Sequence, residues 1–327
     1  MKAGTPNAPE VSVIIITRNT CALTRAAIRS AEEAAGGGEI IVVDNGSSDD
    51  TATVLPPEFP SVQLIRSEIN LGFARACNLA ARRAHGEFLL LLNSDARLEP
   101  GALGRAVQFM RATPDCAVAG AQLLSLDGTR QNSIANFPTL STELLNKSLL
   151  RRLFPKRFPG KERPLAEATE VESVVGAFFL IRKAAWDALG GFDERFFFFF
   201  EETDFCLQAR RRGWKVFHLP QVRVWHEQGG TAKQSTAAAR IEYWRSRYAY
   251  FAKNEGWGTR TLLAVVLPAR LLVEWLASGI MAAMPWGLSG RWSDRWRVQG
   301  SLLAWHLRGR PADEGLPRAA TARPKGT

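Results

Sequence analysis

Short runs of apolar and β-branched residues recur through the first 230 positions, and most of them close on a cluster of polar residues. The runs at 11–16 (VSVIII), 39–43 (EIIVV) and 87–92 (EFLLLL) lack polar alternation, the pattern of strands covered on both faces, and 62–66 reads as a further strand. Between them 24–35, 74–85 and 100–113 carry helical patterning, and 117–124 resumes strand character. Strands alternating with helices predict βαβ units and a parallel sheet with flanking helices. Further along, 171–181 (VESVVGAFFLI), 215–219 and 222–225 read as strands, and 184–189 and 203–212 as helices.

Two stretches depart from this rhythm. Between Lys147 and Arg163 there are seven basic residues and one acid, with Pro155 and Pro159, which predicts a mobile loop with a short helix. After about Gln228 the composition shifts: six of the ten tryptophans lie beyond Asn254, and basic residues outnumber acidic ones between 240 and 310. The expected organisation is a tail at 1–9, an α/β domain over 10–230 with halves 10–125 and 126–230, a helical appendage over 231–310, and a disordered tail over 311–327.

Charge and cysteine usage narrow the class. Lys and Arg total 42 against 32 Asp and Glu, a net charge of +10 that favours anionic partners: nucleotides, phospholipid headgroups or nucleic acid. Cys21, Cys77, Cys116 and Cys206 form no CxxC pair, so neither a zinc site nor a disulfide framework is expected, and a reducing cytosol fits. The first ten residues contain no apolar core of a signal peptide. The uncharged run at 275–290 is short for a span of about 20 residues and is interrupted by Pro285.

Candidate chemistry lies where the polar clusters fall. In open α/β sheets ligands sit beyond the carboxyl ends of strands. The clusters after Ile16, Val43 and Leu92 lie at such ends and would bring their carboxylates into one crevice. Asp44, opening DNGSSDDT, reads as a turn residue or as an acceptor for a nucleobase edge. Asp95, closing Asn93-Ser94-Asp95, reads as a cap or as a ligand for Mg²⁺ or Mn²⁺ shared with phosphate oxygens. Glu201, Glu202 and Asp204 suit the first turn of a helix, but five consecutive phenylalanines precede them. Apolar surroundings raise a carboxyl pKa and suit it to general-base work. His226 is a candidate second metal ligand beside Asp95.

Taken in order, VSVIIITRN, VVDNGSSDDT, NLGFARACN, LLLLNSDARLEPGAL, GAFFLIRKAAWDALGGFDERFF and EETDFCLQARRRGW resemble family 2 glycosyltransferases, in particular the rhamnosyltransferase-like branch, over about residues 10–230. The resemblance implies a GT-A fold and an inverting transfer from a nucleotide-diphosphate sugar. It implies nucleoside contacts at Thr17, Asn19 and Asp44, donor-binding positions at Asn70, Arg75, Asn93 and Ser94, and a metal ligand at Asp95, the last Asp of a motif whose usual first Asp is here Asn93. Glu202 matches the base, with Glu201 the alternative. Asp204 and Arg210 would support the helix, and Gly176 and Ala177 would let backbone approach the sugar. The turn at 190–194 would face the acceptor.

The resemblance further implies a Mg²⁺ or Mn²⁺ cofactor and a dTDP- or UDP-sugar donor, rhamnose first among the sugars. The acceptor would be a glycan or a polyprenyl-diphosphate-linked sugar in cell-envelope polysaccharide synthesis. The apolar stretch 261–288, with Arg270, Glu274 and flanking Trp257, Trp275 and Trp286, reads as a buried helical pair or as an interfacial helix; with the basic loop, the expected place is an anionic membrane surface on the cytoplasmic side. Two other readings stand beside this one: a catalytically inactive scaffold of the same fold, and a basic nucleic-acid-binding protein. The acids at strand ends argue against the latter, and no nucleic-acid partner is expected. A nicotinamide enzyme would need GxGxxG where TRNTCAL stands.

Overall fold

The computed structural model describes residues 9–35, 38–155, 165–227, 236–284 and 290–317. In chain order the elements are β1 (Val11–Thr17), α1 (Cys21–Ala35), β2 (Glu39–Asn45), α2 (Thr51–Glu58), β3 (Gln63–Ser67), α3 (Phe73–Ala81), β4 (Phe88–Asn93), β5 (Ala96–Leu98), α4 (Ala102–Ala112) and β6 (Cys116–Leu124). There follow β7 (Ile134–Ala135), α5 (Leu140–Leu144), α6 (Lys147–Leu153), β8 (Thr169–Glu170), β9 (Ser173–Val174), β10 (Phe178–Arg182), α7 (Lys183–Leu189), α8 (Glu201–Arg211), β11 (Lys215–His226), α9 (Thr236–Asn254), α10 (Trp257–Ala283) and α11 (Gly290–Leu307).

The main sheet runs β3-β2-β1-β4-β10-β6-β11-β5, with β8 added on β11. β3, β2, β1 and β4 are mutually parallel, β6 and β11 are parallel, and β10 lies antiparallel between β4 and β6. The carboxyl ends of β1, β2, β4, β6 and β11 therefore share one edge. Apolar side chains cover both faces: Ile15, Val42, Leu90 and Leu103 belong to one core, and Ile14, Val43, Leu91 and Phe179 to the other. That two-sided burial is why the strands read as unbroken apolar runs.

The segment expected as one strand over 171–181 is broken. β9 leaves the main sheet to pair with β7, and β10 starts only at Phe178. The cause lies beneath it. Val174 packs onto β6 at Gly120, where a Cβ would come within 2.5 Å of the valine side chain. Residues 175–177 thus bridge two sheets and hold Gly176 at the sheet edge. The two strands expected at 215–219 and 222–225 are one, β11, with a register shift between Leu219 and Arg223 around Pro220.

α9, α10 and α11 form the expected helical appendage, and their core includes Phe196 and Phe200. α10 packs inward through Leu263, Leu267 and Leu271 and leaves Val265, Val273 and Ile280 more than 60% exposed. It is, among the described residues, the one helix long and apolar enough to cross a membrane, with mean hydropathy 1.7. The uncharged run in the sequence understated it, because Arg270 and Glu274 pair within the helix at 3.0 Å. Residues 311–317, expected as disordered, lie against the protein, whereas 318–327, 156–164 and Trp286 lie outside the described residues.

Candidate active site

The donor side of the sheet edge is a row of loops that hold one another. Thr17 and Asp44 are direct neighbours in the β1–β2 register, as Ile16 and Asn93 are in β1–β4. Thr17 Oγ1 lies 2.7 Å from Thr24 Oγ1 and 3.0 Å from Thr20 Oγ1, and Thr20 donates to Ser94 Oγ at 3.1 Å. Asn19 adopts a left-handed backbone, φ 56°, and its side-chain oxygen accepts from the Ser48 amide at 2.7 Å. Asn45 joins the β2 loop to the next one, donating to Asn70 Oδ1 at 3.0 Å and accepting from the Leu71 amide at 2.7 Å.

Two groups in this neighbourhood lack partners. Asp44 is buried; its Oδ1 accepts from the Ser47 amide at 3.0 Å, while its buried Oδ2 has none. Arg18 keeps both Nε and Nη2 buried and unbonded, and desolvation pushes its guanidinium pKa down. Buried polar groups are nearly always satisfied, so orphans of both signs at one strand edge are a ligand signature. Arg18, Thr17, Asn45, Asn70, Ser94 and Phe198 line a cavity of about 80 Å³, and Leu316 of the C-terminal segment completes it. Sequence reading passed over Arg18. The signal was available, a cation immediately after a buried strand, but the flanking Thr17 and Asn19 drew the assignment. Arg75, expected to face the donor, lies on the exposed side of α3 and is not brought into this cavity.

Asp95 and His226, expected as metal ligands, do meet. Their elements pair antiparallel, with His226 opposite Ala96, and Nε2 of His226 lies 3.4 Å from Asp95 Oδ1. Gln131 fixes the imidazole. Its Nε2 donates to the His226 carbonyl at 2.6 Å and to Ser125 Oγ at 3.1 Å, so its Oε1 accepts from Nδ1–H at 3.1 Å. In the neutral ring the lone pair of Nε2 therefore points toward the carboxylate. Such a carboxylate–imidazole pair with a hydrogen-bonded second ring nitrogen fits a divalent cation. Among the described residues no group of three or more His, Cys, Asp or Glu gathers for a metal, so these two would leave coordination positions for phosphate oxygens and water.

The other wall carries the two glutamates. α8 begins at Glu201, directly after Phe199 and Phe200, both in left-handed backbone at φ 73° and 72°. Two successive non-glycine residues in that region are strained, which is common at functional sites. Glu201 is buried, and burial, then the neighbouring Glu202, pushes its pKa well above the ordinary carboxylate value; burial also raises Glu202. Both keep a buried oxygen without a partner. Glu202 faces Gly176, where an added Cβ would sit 3.8 Å from its carboxyl. Ala177, the next residue, accepts from the Asn93 amide at 3.1 Å. The chain 176–177 therefore links Glu202 to the Asn93–Asp95 loop.

Supporting bonds complete the wall. Lys253 joins Asp204 at 2.6 Å to Asp193 at 2.7 Å, and so ties α8 to the loop at 190–195. Asn78 on α3 accepts from the Phe192 amide at 2.9 Å and donates to its carbonyl at 2.9 Å. Arg210 pairs with Glu170 of β8 at 2.6 Å. The anchoring by Asn78 and Lys253 was not read from the sequence: Asn78 closes the NLGFARACN motif but was given no role there, and Lys253 stands in none of the motifs.

The sequence profile described as "Glycosyl transferase family 2" matches residues 12–190. An N-acetylglucosaminyl-diphospho-decaprenol L-rhamnosyltransferase of Mycobacterium tuberculosis is 23% identical over 221 residues, 61% of this chain and 70% of that protein. The O-antigen biosynthesis protein RfbC of Myxococcus xanthus is 29% identical over 181 residues, 53% of this chain and 13% of that protein. Among solved structures, a mannosyltransferase from Pyrobaculum calidifontis in complex with GDP-Man and Mn²⁺ matches 94% of this chain and 88% of its own, with a TM-score of 0.55 and 17% identity. The fold is thus GT-A, with a mixed, mostly parallel sheet.

Proposed function

The chain belongs to glycosyl transferase family 2, and from that premise we propose that it transfers a sugar, L-rhamnose first among the candidates, from a dTDP- or UDP-linked donor to a hydroxyl of a polyprenyl-diphosphate-linked glycan, with inversion. The observation that carries the proposal is the meeting, along one sheet edge, of the Asp95–His226 pair and the raised carboxyl of Glu202, joined through residues 176–177.

The nucleoside binds among Thr17, Asn19, Asp44 and Asn70, where the free Oδ2 of Asp44 accepts from the base or ribose. Arg18 donates its two unbonded N–H groups to the diphosphate, a charge-assisted contact suited to a guanidinium. Asp95 and Nε2 of His226 would hold Mg²⁺ or Mn²⁺, which supplies Lewis-acid stabilisation of the departing diphosphate. Glu202 takes the proton of the acceptor hydroxyl. That oxygen forms its bond to the anomeric carbon as the bond to the diphosphate breaks on the opposite face. Burial raises both carboxyls, and the charge of Glu202 raises Glu201 further.

The exposed stripe of α10 supports a position at an anionic membrane surface. Leu262, Val265, Leu272, Leu276 and Ile280 recur at helical spacing on it, and Arg151 and Arg152 of α6 stand exposed in the chain's basic segment. The test of the chemistry is a panel of nucleotide sugars with Mn²⁺. One donor should raise the melting temperature of wild type and of Glu202→Gln alike, while only wild type turns it over. Near-normal turnover by Glu202→Gln would remove the base assignment. Failure to cosediment with anionic liposomes at low salt would remove the membrane position.

A further inference from the structure

Arg195, two residues before the phenylalanines that wall the donor cavity, lines a second and larger cavity of about 470 Å³. Arg245, Tyr248, Arg260, Trp305 and Arg310 line it with Arg195. The volume falls in the range of about 300–1,000 Å³ that small-molecule sites occupy. Four guanidinium groups face it, and no carboxylate is among its lining residues.

The four are not equivalent. Arg195 is neutralised by Asp193 at 2.6 Å. Arg245 is saturated by Glu242 and by the carbonyls of Pro311 and Glu314. Arg260 and Arg310 have no ion pair among the described residues. Arg310 lies over the Tyr248 ring, 5.1 Å from its centroid, and holds a left-handed backbone at φ 63°. That leaves two uncompensated cations converging on an aromatic-walled cavity, the arrangement that recognises a phosphate or diphosphate.

Position assigns the ligand more closely. The loop carrying Arg195 runs directly into Phe196 and Glu201, and Lys253 clamps it to α8. Arg260 stands in the first turn of α10, just before Leu262 and Val265 open the exposed apolar stripe. An anion held here would have the reactive wall on one side and an apolar track on the other. We propose that this cavity binds the diphosphate group of a lipid-linked acceptor, with the hydrocarbon leaving along α10. This rests on the glycosyl-transfer reading above and names the part of the acceptor that the enzyme grips.

The test uses the full chain in chelator, so that no metal-held diphosphate in the donor cavity contributes. Geranyl diphosphate and inorganic pyrophosphate are titrated into wild type, Arg260→Gln/Arg310→Gln and Arg260→Lys/Arg310→Lys, and UDP with Mn²⁺ is titrated separately. Geranyl diphosphate should bind wild type about tenfold tighter than pyrophosphate, the hydrocarbon adding apolar burial. The glutamine pair should lose about tenfold or more, the lysine pair less, and UDP binding should be unchanged in all three. Unchanged UDP binding also shows that the variants are folded. Equal binding of geranyl diphosphate by wild type and the glutamine pair, or none by wild type, overturns the site. Equal affinity for the two anions overturns the lipid-linked assignment. Arg-dependent geranyl diphosphate binding with no UDP binding by wild type would remove the donor-cavity reading and leave this one.

Discussion

The two walls of the cleft are built on opposite terms. On the wall expected to take the donor most polar side chains are engaged by neighbouring elements, Asn19 by Ser48, Asn45 by Asn70 and Leu71, Thr17 by Thr24, and the two exceptions, Asp44 and Arg18, are of opposite sign. On the acceptor wall two glutamates sit side by side with unbonded oxygens, behind two residues in strained backbone. The first wall resembles a prepared mould, in which binding costs little rearrangement. The second holds unfavourable contacts that only a substrate proton or a reacting group relieves. Substitutions on the two walls should therefore fail differently, one in affinity and stability, the other in turnover.

The sharpest division is expected at Glu202. Glu202→Gln should cut kcat by roughly 10²–10⁴, about 2.7–5.5 kcal/mol of barrier, with nucleotide affinity unchanged by calorimetry. A matching loss of affinity would erase the distinction between the walls. Next comes Gly72, at φ 81°, where a Cβ would lie 2.5 Å from the Phe197 carbonyl oxygen. Gly72→Ala should destabilise the fold by about 2–3 kcal/mol in urea titration, because this glycine is where the donor loop touches the phenylalanine wall.

Arg18→Met should weaken UDP binding by about tenfold and leave uridine binding intact, locating the guanidinium at the diphosphate. Equal losses for both ligands would move it to the base. The smallest effect concerns Glu201, whose pKa is raised in the folded protein. A raised carboxyl contributes stability that is complete below the unfolded value near 4.5 and is lost as pH rises through the folded value. Glu201→Gln should therefore match wild type in melting temperature at pH 4 and exceed it at pH 8. A constant offset across that range would show the burial to be unimportant.

Much of this was legible in the sequence, and for a physical reason. Strands buried on both faces announce themselves as apolar runs, and the polar residues closing them had to lie at the carboxyl edge. Asp44 and Asp95 were read that way and Thr17 and Asn93 from the family resemblance; Thr17, Asp44 and Asn93 do lie along that edge, and His226, at the end of β11, lies beside Asp95. What escaped depended on contacts between distant elements. The break at 175–177 follows from Val174 meeting Gly120, which no local pattern encodes. Helix α2 was missed because Pro56 and Pro57 mark a breaker; both fall in its last turn, where each removes an N–H donor, and the helix ends one residue later at Glu58. Arg75 was misplaced because a helix of nine residues offers several faces, and only packing decides which one turns inward.

Residues 311–317 have a thermodynamic corollary. Seven residues with neither helix nor strand close a space of about 80 Å³. They are moored by side chains: Trp305 and Arg245 hold the Pro311 carbonyl at 3.2 and 3.1 Å, and Asn70 holds that of Pro317 at 2.8 Å. A sugar nucleotide needs several times that space, and Leu316 is the lining residue that this segment contributes. Swinging Leu316 outward is then work subtracted from donor affinity. Linkage runs both ways: an agent that captures the displaced segment elsewhere would tighten nucleotide binding by the same factor.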